Sequence, residues 1–86
     1  MKKVTLFYLK NCPHCKRARK MMEDLFAAHP EYKDVPLTMI EESEDPETAG
    51  KYDYYLVPTF YVGDEKLHEG VPSPEAVESV FKAAIK

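Results

Sequence analysis

The chain has 86 residues, of which 44% are hydrophobic, and it carries a formal net charge of −3. A chain of this length buries roughly 60–65% of its unfolded surface, enough for a single domain over residues 1–86 with a modest core. The negative charge gives no electrostatic basis for binding nucleic acid or an anionic membrane, so we expect neither. The apolar run Val4 to Leu9 is too short for a signal peptide or a membrane span. We therefore expect a cytoplasmic protein, and a monomer.

The first half of the chain predicts a strand, a helix and a second strand. Residues 4–9 (VTLFYL) are rich in β-branched and aromatic side chains, which is typical of a buried strand. Pro13 suits the first turn of a helix, where a missing N–H costs nothing. Apolar residues then recur at spacings of three and four: Ala18, Met21, Met22, Leu25 and Ala28. This helix runs to about His29, and residues 35–41 read as the second strand, with Pro36 near its start.

The next segment predicts a short helix and a hairpin. Asp45-Pro46-Glu47 is an entry signal for a helix that reaches about Tyr52. Residues 59–62 and 65–69 have the composition of strands, and Gly63-Asp64 between them is typical of a hairpin turn.

A final helix closes the chain. Ser73 is its predicted N-cap and Pro74 its first residue. The residues predicted to face the core are Ala76, Val77, Val80, Phe81 and Ala84. The element order is β-α-β-α-β-β-α, so the fold class is α/β.

The only two cysteines stand in the motif Cys12-Pro13-His14-Cys15, between the first strand and the first helix. Unpaired backbone N–H groups at a helix N-terminus favour the thiolate form of a cysteine. Cys12 is therefore the predicted nucleophile for thiol–disulfide exchange, and Cys15, one turn further in, is the predicted resolving cysteine. A purely stabilising disulfide is the alternative, but so short a loop would stabilise the fold little.

Charged residues near the motif are candidates for changing the pKa of Cys12. If His14 is protonated, its charge lowers the pKa of Cys12 and makes the disulfide more oxidising; if it is neutral, its effect is small. Lys16 and Lys10 are candidates for a positive field that supports the thiolate or an anionic substrate. A solvated polar face is the alternative reading of the basic residues in this helix.

The cysteine motif, the element order and Val57-Pro58-Thr59 before a strand together resemble the thioredoxin superfamily, and the length most resembles a glutaredoxin-like protein. The resemblance covers essentially the whole chain. It implies a thioredoxin fold, with a four-stranded mixed sheet flanked by helices. It also implies that Pro58 is cis and lies against the cysteines, and that the backbone of Val57 pairs with an extended substrate.

The resemblance further implies a thiol–disulfide oxidoreductase without a tightly bound cofactor or metal. Its co-substrate would be glutathione, used to reduce disulfides or mixed disulfides. Gly70 matches one of the two glycines that help glutaredoxins to bind the γ-glutamyl carboxylate of glutathione, and Ser73 stands where those proteins have an acid. The second glycine and the acidic charge are missing here.

Two other functions stay open. A thioredoxin-like protein disulfide reductase, recycled by a flavoprotein reductase, is favoured by the weakened carboxylate-binding segment. A metal or iron–sulfur module would use Cys12, Cys15 and His14, but zinc and such clusters normally require four ligands.

Two further segments near these motifs have less specific compositions. Tyrosines 52, 54 and 55 lead into Val57-Pro58, where they predict either a rim for a peptide substrate or ordinary packing. The acidic run Glu41 to Asp45 predicts a solvated loop and a helix cap.

Overall fold

The structure, a computed structural model, describes residues 1–86. Its strands are β1 (Val4–Tyr8), β2 (Leu37–Glu41), β3 (Thr59–Val62) and β4 (Glu65–Glu69). Its helices are α1 (Pro13–Ala28), α2 (Pro46–Ala49) and α3 (Pro74–Ile85), with a 3₁₀ turn at Pro30–Asp34. The predicted order β-α-β-α-β-β-α is thus confirmed. None of these helices combines the length and the apolar character that crossing a membrane requires.

The four strands form one mixed sheet in the order β2-β1-β3-β4. β1 pairs in parallel with β2 and antiparallel with β3, and β3 pairs antiparallel with β4. Parallel neighbours need a crossover connection, and α1 provides it between β1 and β2. The β3–β4 hairpin turns at Gly63, whose φ of +58° is in the left-handed region that favours glycine. In this strand order β1 is a central strand, and its carboxyl end leads directly to the cysteine motif.

Alternate residues of the strands serve two different cores, because successive side chains point to opposite faces of a sheet. Leu6 belongs to the larger core, which α1 and α3 cover. Phe7 belongs to a smaller core on the other face, together with Ala49 and Tyr61. Tyr52 and Tyr54 pack against this smaller core, so the segment after α2 covers the second face.

Two predicted element boundaries are wrong. The second strand begins at Leu37 rather than at residue 35, because the backbone N–H of Val35 bonds to the carbonyl of Tyr32 and closes the unpredicted 3₁₀ turn. The short helix is a single turn that ends at Ala49 and does not reach Tyr52. The ring of Tyr52 instead packs on Phe7, with ring centroids 4.7 Å apart.

The core face of α3 is narrower than predicted. Val77, Val80, Phe81 and Ala84 are buried, and they follow the i, i+3, i+4, i+7 spacing of one helix face. Ala76 is only half-buried, because it falls beside this stripe.

Phe81 is expected to be a major contributor to stability, since it is 0% exposed and its ring meets the edge of Phe26 at 5.1 Å between centroids. Replacing Phe81 by Ala should lower the free energy of unfolding by about 3–5 kcal/mol, measured by urea denaturation of the reduced protein. Ile85→Ala, one turn later at a position 40% exposed, is the control and should cost about 1 kcal/mol or less. Equal losses for the two variants would contradict the described core.

Candidate active site

Cys12 is the N-cap of α1, and Pro13 is the first residue of the helix. The backbone of Cys12 is extended (φ −81°, ψ 122°), and its Sγ accepts a hydrogen bond from the backbone N–H of Cys15 at 3.4 Å. The sulfur thereby satisfies one of the N–H groups that a helix start leaves without a partner. Cys12 remains partly exposed, so a substrate can reach it.

Cys15 lies one turn further in and is fully buried, with the backbone N–H of Leu9 donating to its Sγ at 3.5 Å. Burial and the neighbouring sulfur of Cys12 together raise the pKa of Cys15 to about 11, against the opposing hydrogen bond from the N–H of Leu9. At neutral pH Cys15 is therefore a thiol that an incoming substrate does not meet first.

The pKa of Cys12 moves in the opposite direction. Partial burial alone would raise it, but hydrogen bonds to the sulfur from the side chain and backbone of Cys15 and from the backbone of His14 lower it. The positive charge of Arg17 acts in the same direction. The net result is a lowered pKa, so the two thiols are the asymmetric pair that exchange chemistry needs.

The cation whose charge lowers the pKa of Cys12 is Arg17, and its guanidinium lies within hydrogen-bond distance of His14 Nδ1. Sequence reasoning selected Lys16 and Lys10 and did not select Arg17. Lys16 is exposed on α1, and its ammonium group has no hydrogen-bond or ion-pair partner.

The peptide bond between Val57 and Pro58 is cis, as the resemblance implied. Pro58 is buried, and its carbonyl accepts a hydrogen bond from the backbone N–H of Gly70 at 2.9 Å. Gly70 has a φ of +96°, a conformation that side chains strongly disfavour. Glycine at this position therefore allows the tight connection between β4 and the loop around Pro58.

Glu69, which sequence reasoning did not select, holds this loop. Its Oε2 accepts hydrogen bonds from the backbone N–H of Tyr55 and, at 2.8 Å, from that of Leu56, while its Oε1 accepts from Lys66 Nζ at 2.8 Å. The lysine and the two N–H groups lower the pKa of Glu69 to about 2. The carboxylate therefore stays charged and fixes the two residues before Val57. No sequence signal distinguishes it from other acids at the end of a hairpin.

The predicted solvated character of the acidic run is wrong for Glu41, which is only 6% exposed. Its Oε1 accepts hydrogen bonds from the hydroxyl and the N–H of Ser43, and its Oε2 accepts one from the N–H of Lys10 at 3.2 Å. The Ser43 hydroxyl and these N–H groups outweigh burial and lower the pKa of Glu41. Lys10 Nζ pairs with Glu44 at 3.3 Å. Glu41 thus ties the loop before Cys12 to the end of β2, whereas Asp45 caps α2 as predicted.

Ser73 is the N-cap of α3, and its Oγ accepts a hydrogen bond from the N–H of Ala76 at 3.1 Å. The first turns of α3 line a cavity together with the second half of α1, which contributes Met21, and with the C-cap of α1, His29. That part of α1 begins about two turns beyond Cys12. Ser73 is therefore used by its own helix, and the cavity at the helix start is formed with the far half of α1.

The donor groups near the cysteines offer few metal ligands. Cys12 and Cys15 provide two sulfur atoms, and His14 Nδ1 lies against the guanidinium of Arg17. No three His, Cys, Asp or Glu side chains gather into a group that could hold a metal ion. An iron–sulfur cluster at this position would need its other ligands from a second chain.

Comparison with known proteins places the chain among thioredoxins. A family model described as a thioredoxin domain matches residues 2–82. Thioredoxin from Methanocaldococcus jannaschii is 30% identical over 80 residues, which are 93% of this chain and 92% of that protein.

Solved structures agree with this. One is a chain from a study of the thiol-resolving mechanism in yeast mitochondrial 1-Cys peroxiredoxin via glutathione/thioredoxin systems, with a TM-score of 0.74 and 29% identity. Mitochondrial thioredoxin 3 from Saccharomyces cerevisiae, in its oxidized form, has a TM-score of 0.72 and 27% identity. Each match covers 95% of this chain and 77% of the other. The predicted thioredoxin fold is confirmed.

The lowered pKa of Cys12 should be visible in alkylation experiments. In the reduced protein, iodoacetamide should modify Cys12 and spare Cys15 at neutral pH, as read by mass spectrometry. The rate should rise with pH as the thiolate forms and level off below the ordinary cysteine pKa of about 8.5. A plateau only above that value would contradict the described site.

Arg17→Ala should raise the pKa of Cys12, because the substitution removes a positive charge that favours the thiolate. The ultraviolet absorbance of the thiolate, followed across pH, measures this shift directly. Lys16→Ala is the matched control, since Lys16 is the neighbouring cation on the same helix. A larger shift for Lys16→Ala than for Arg17→Ala would return the tuning role to Lys16.

Glu69→Ala should loosen the loop before Val57, because the N–H groups of Tyr55 and Leu56 lose their common acceptor. Hydrogen exchange at these two amides should become faster, and KM for disulfide substrates should rise more than kcat falls. Glu65→Ala, an exposed position in the same strand, is the control. Unchanged exchange at both amides would show that the carboxylate does not hold the loop.

Proposed function

The chain belongs to the thioredoxin family and is a thiol–disulfide oxidoreductase, and on that basis we propose that it reduces disulfide bonds in proteins. One observation carries the proposal: an accessible Cys12 with a lowered pKa lies one helical turn from a buried Cys15 with a raised pKa. The glutaredoxin-like subtype expected from the length and motif stays a prediction, since the relatives described above are named thioredoxins.

In the first step the Cys12 thiolate attacks one sulfur of the substrate disulfide. A bond forms between Cys12 Sγ and that sulfur, while the substrate S–S bond breaks and the other substrate sulfur leaves as a thiolate. The helix start and Arg17 stabilise the charge on Cys12, so a larger fraction of Cys12 is thiolate than in an ordinary cysteine.

In the second step Cys15 attacks Cys12 Sγ. The Cys12–Cys15 disulfide forms, the mixed disulfide breaks, and the proton of Cys15 passes to the sulfur that leaves; the substrate thiolate released in the first step takes its proton from water, which completes the dithiol. Two electrons have then passed from the protein to the substrate. The raised pKa of Cys15 keeps it protonated until a mixed disulfide provides a sulfur one turn away to attack.

The hydrogen bonds that the segment from Gly70 to Ser73 already makes within the protein favour a protein disulfide over glutathione as the substrate. Glutathione would need an acceptor for its γ-glutamyl group and donors for its carboxylate at this segment. The Gly70 N–H donates to Pro58, and Ser73 Oγ is engaged by Ala76. Neither the second glycine nor the acid of the glutaredoxin pattern is present. A flavoprotein dithiol reductase is the proposed electron donor.

The test compares two complete assays with the same protein. In one, a disulfide-bonded protein such as insulin is reduced with NADPH and a thioredoxin reductase. In the other, a glutathionylated peptide is reduced with glutathione as sole reductant. We expect turnover in the first assay and none in the second.

Cysteine variants separate the steps. Cys12→Ser should abolish turnover, because the nucleophile is removed, whereas Cys15→Ser should accumulate a mixed disulfide with the substrate that mass spectrometry detects. Robust turnover of the glutathionylated peptide that survives Cys15→Ser would replace the proposal with the glutathione-linked reaction. Full activity of Cys12→Ser would overturn both.

A further inference from the structure

Two cavities adjoin beside the loop that precedes the reactive cysteine. One, of about 370 Å³, is lined by Cys12, the loop before it, and Glu41 and Ser43. The other, of about 460 Å³, is lined by Leu9, Glu42, Ser43, α2 residues and Tyr52, Tyr54 and Tyr55; we term it the tyrosine cavity. Leu9 and Ser43 line both. A substrate segment held at Cys12 therefore lies next to the tyrosine cavity.

Two walls of the tyrosine cavity are aromatic rings held in place by packing. The ring of Tyr54 stacks on Phe7 at 4.8 Å between centroids, and the ring of Tyr52 contacts both Phe7 and Tyr61. Tyr55 is 89% exposed and stands free at the rim. Because the inner rings are already ordered, a ligand that packs on them does not have to immobilise them.

The cavity carries one charge, and it is negative. Its lining includes Glu42 and no lysine, arginine or histidine. Glu42 is half-buried; its Oε2 accepts a hydrogen bond from the Tyr54 hydroxyl at 2.6 Å, whereas its Oε1 has no partner in the protein. Lys10, which lines the adjoining cavity, pairs with Glu44, and Lys51 lines a different cavity.

From this combination we propose that the tyrosine cavity binds an arginine or lysine side chain of a protein substrate, close to the substrate's reactive cysteine. The inference rests on the proposed reduction of protein disulfides and names the substrate class. A cationic head satisfies the free oxygen of Glu42, and its alkyl stem or guanidinium plane packs on the tyrosine rings. An acidic side chain would meet Glu42 and the other acids of the same segment, and an apolar one would leave the carboxylate unpaired.

A trapping experiment tests the cavity separately from the proposed function. Cysteine peptides activated as aryl disulfides react with any accessible thiolate, so Cys12 of the Cys15→Ser protein attacks them whether or not protein disulfides are its natural substrates. The peptides carry arginine, its neutral isostere citrulline, or leucine at each position flanking the cysteine. At the best position, arginine should react about fivefold faster than citrulline, and less so at high salt.

Two variants complete the test. Glu42→Gln keeps an oxygen for the Tyr54 hydroxyl but removes the charge, and it should bring the arginine and citrulline rates together. Glu47→Gln removes an exposed charge of α2 that does not line the cavity, and it should keep the wild-type preference. Equal rates for arginine and citrulline at every position, a preference that persists in Glu42→Gln, or fastest trapping of leucine would each overturn the inference. Failure of the insulin assay alone would count against the proposed function and leave this trapping result intact.

Discussion

The site depends on the hydrogen bond from the backbone N–H of Cys15 to the sulfur of Cys12. This contact is at once the N-cap of α1 and part of what holds the thiolate of the nucleophile. It exists because β1, a central strand, leads through a short loop into α1. The crossover helix therefore begins beyond the carboxyl end of β1, with Cys12 as its N-cap. The same turn of helix buries Cys15, so the positions of the two thiols, with the charge of Arg17, give them pKa values that move in opposite directions.

Around this pair, two carboxylates hold the backbone of the loops. Glu41 joins the segment before Cys12 to the end of β2, and Glu69 joins β4 to the residues before Val57. Backbone N–H groups in loops lack the partners that a helix or a sheet would supply, so they need acceptors from elsewhere in the fold. The substrate-facing surface is therefore ordered by two acids that take no part in the exchange of sulfur bonds.

Much of this architecture could be predicted from sequence because it depends on local signals. The cysteine spacing, Pro13, the Gly63-Asp64 turn and the Ser73-Pro74 helix start each identify an element without knowledge of the rest. The roles of Glu41, Glu69 and Arg17 could not be predicted, because each depends on which distant or rotated groups it meets in the folded chain. The acidic run was predicted to be solvated for the same reason: composition does not reveal that Glu41, the last residue of β2, is buried.

Because the pKa values of Glu41 and Glu69 are lowered, the two carboxylates that hold the loops take up protons only at acid pH. A carboxylate with a depressed pKa in the folded state adds stability that is complete above its unfolded value, about 4.3, and that is lost as pH falls towards the folded value. For Glu69 that folded value is about 2. Both loops therefore keep their charge-assisted hydrogen bonds at neutral pH. A rate profile near neutrality accordingly contains no conformational transition of the binding surface caused by the protonation of these two carboxylates.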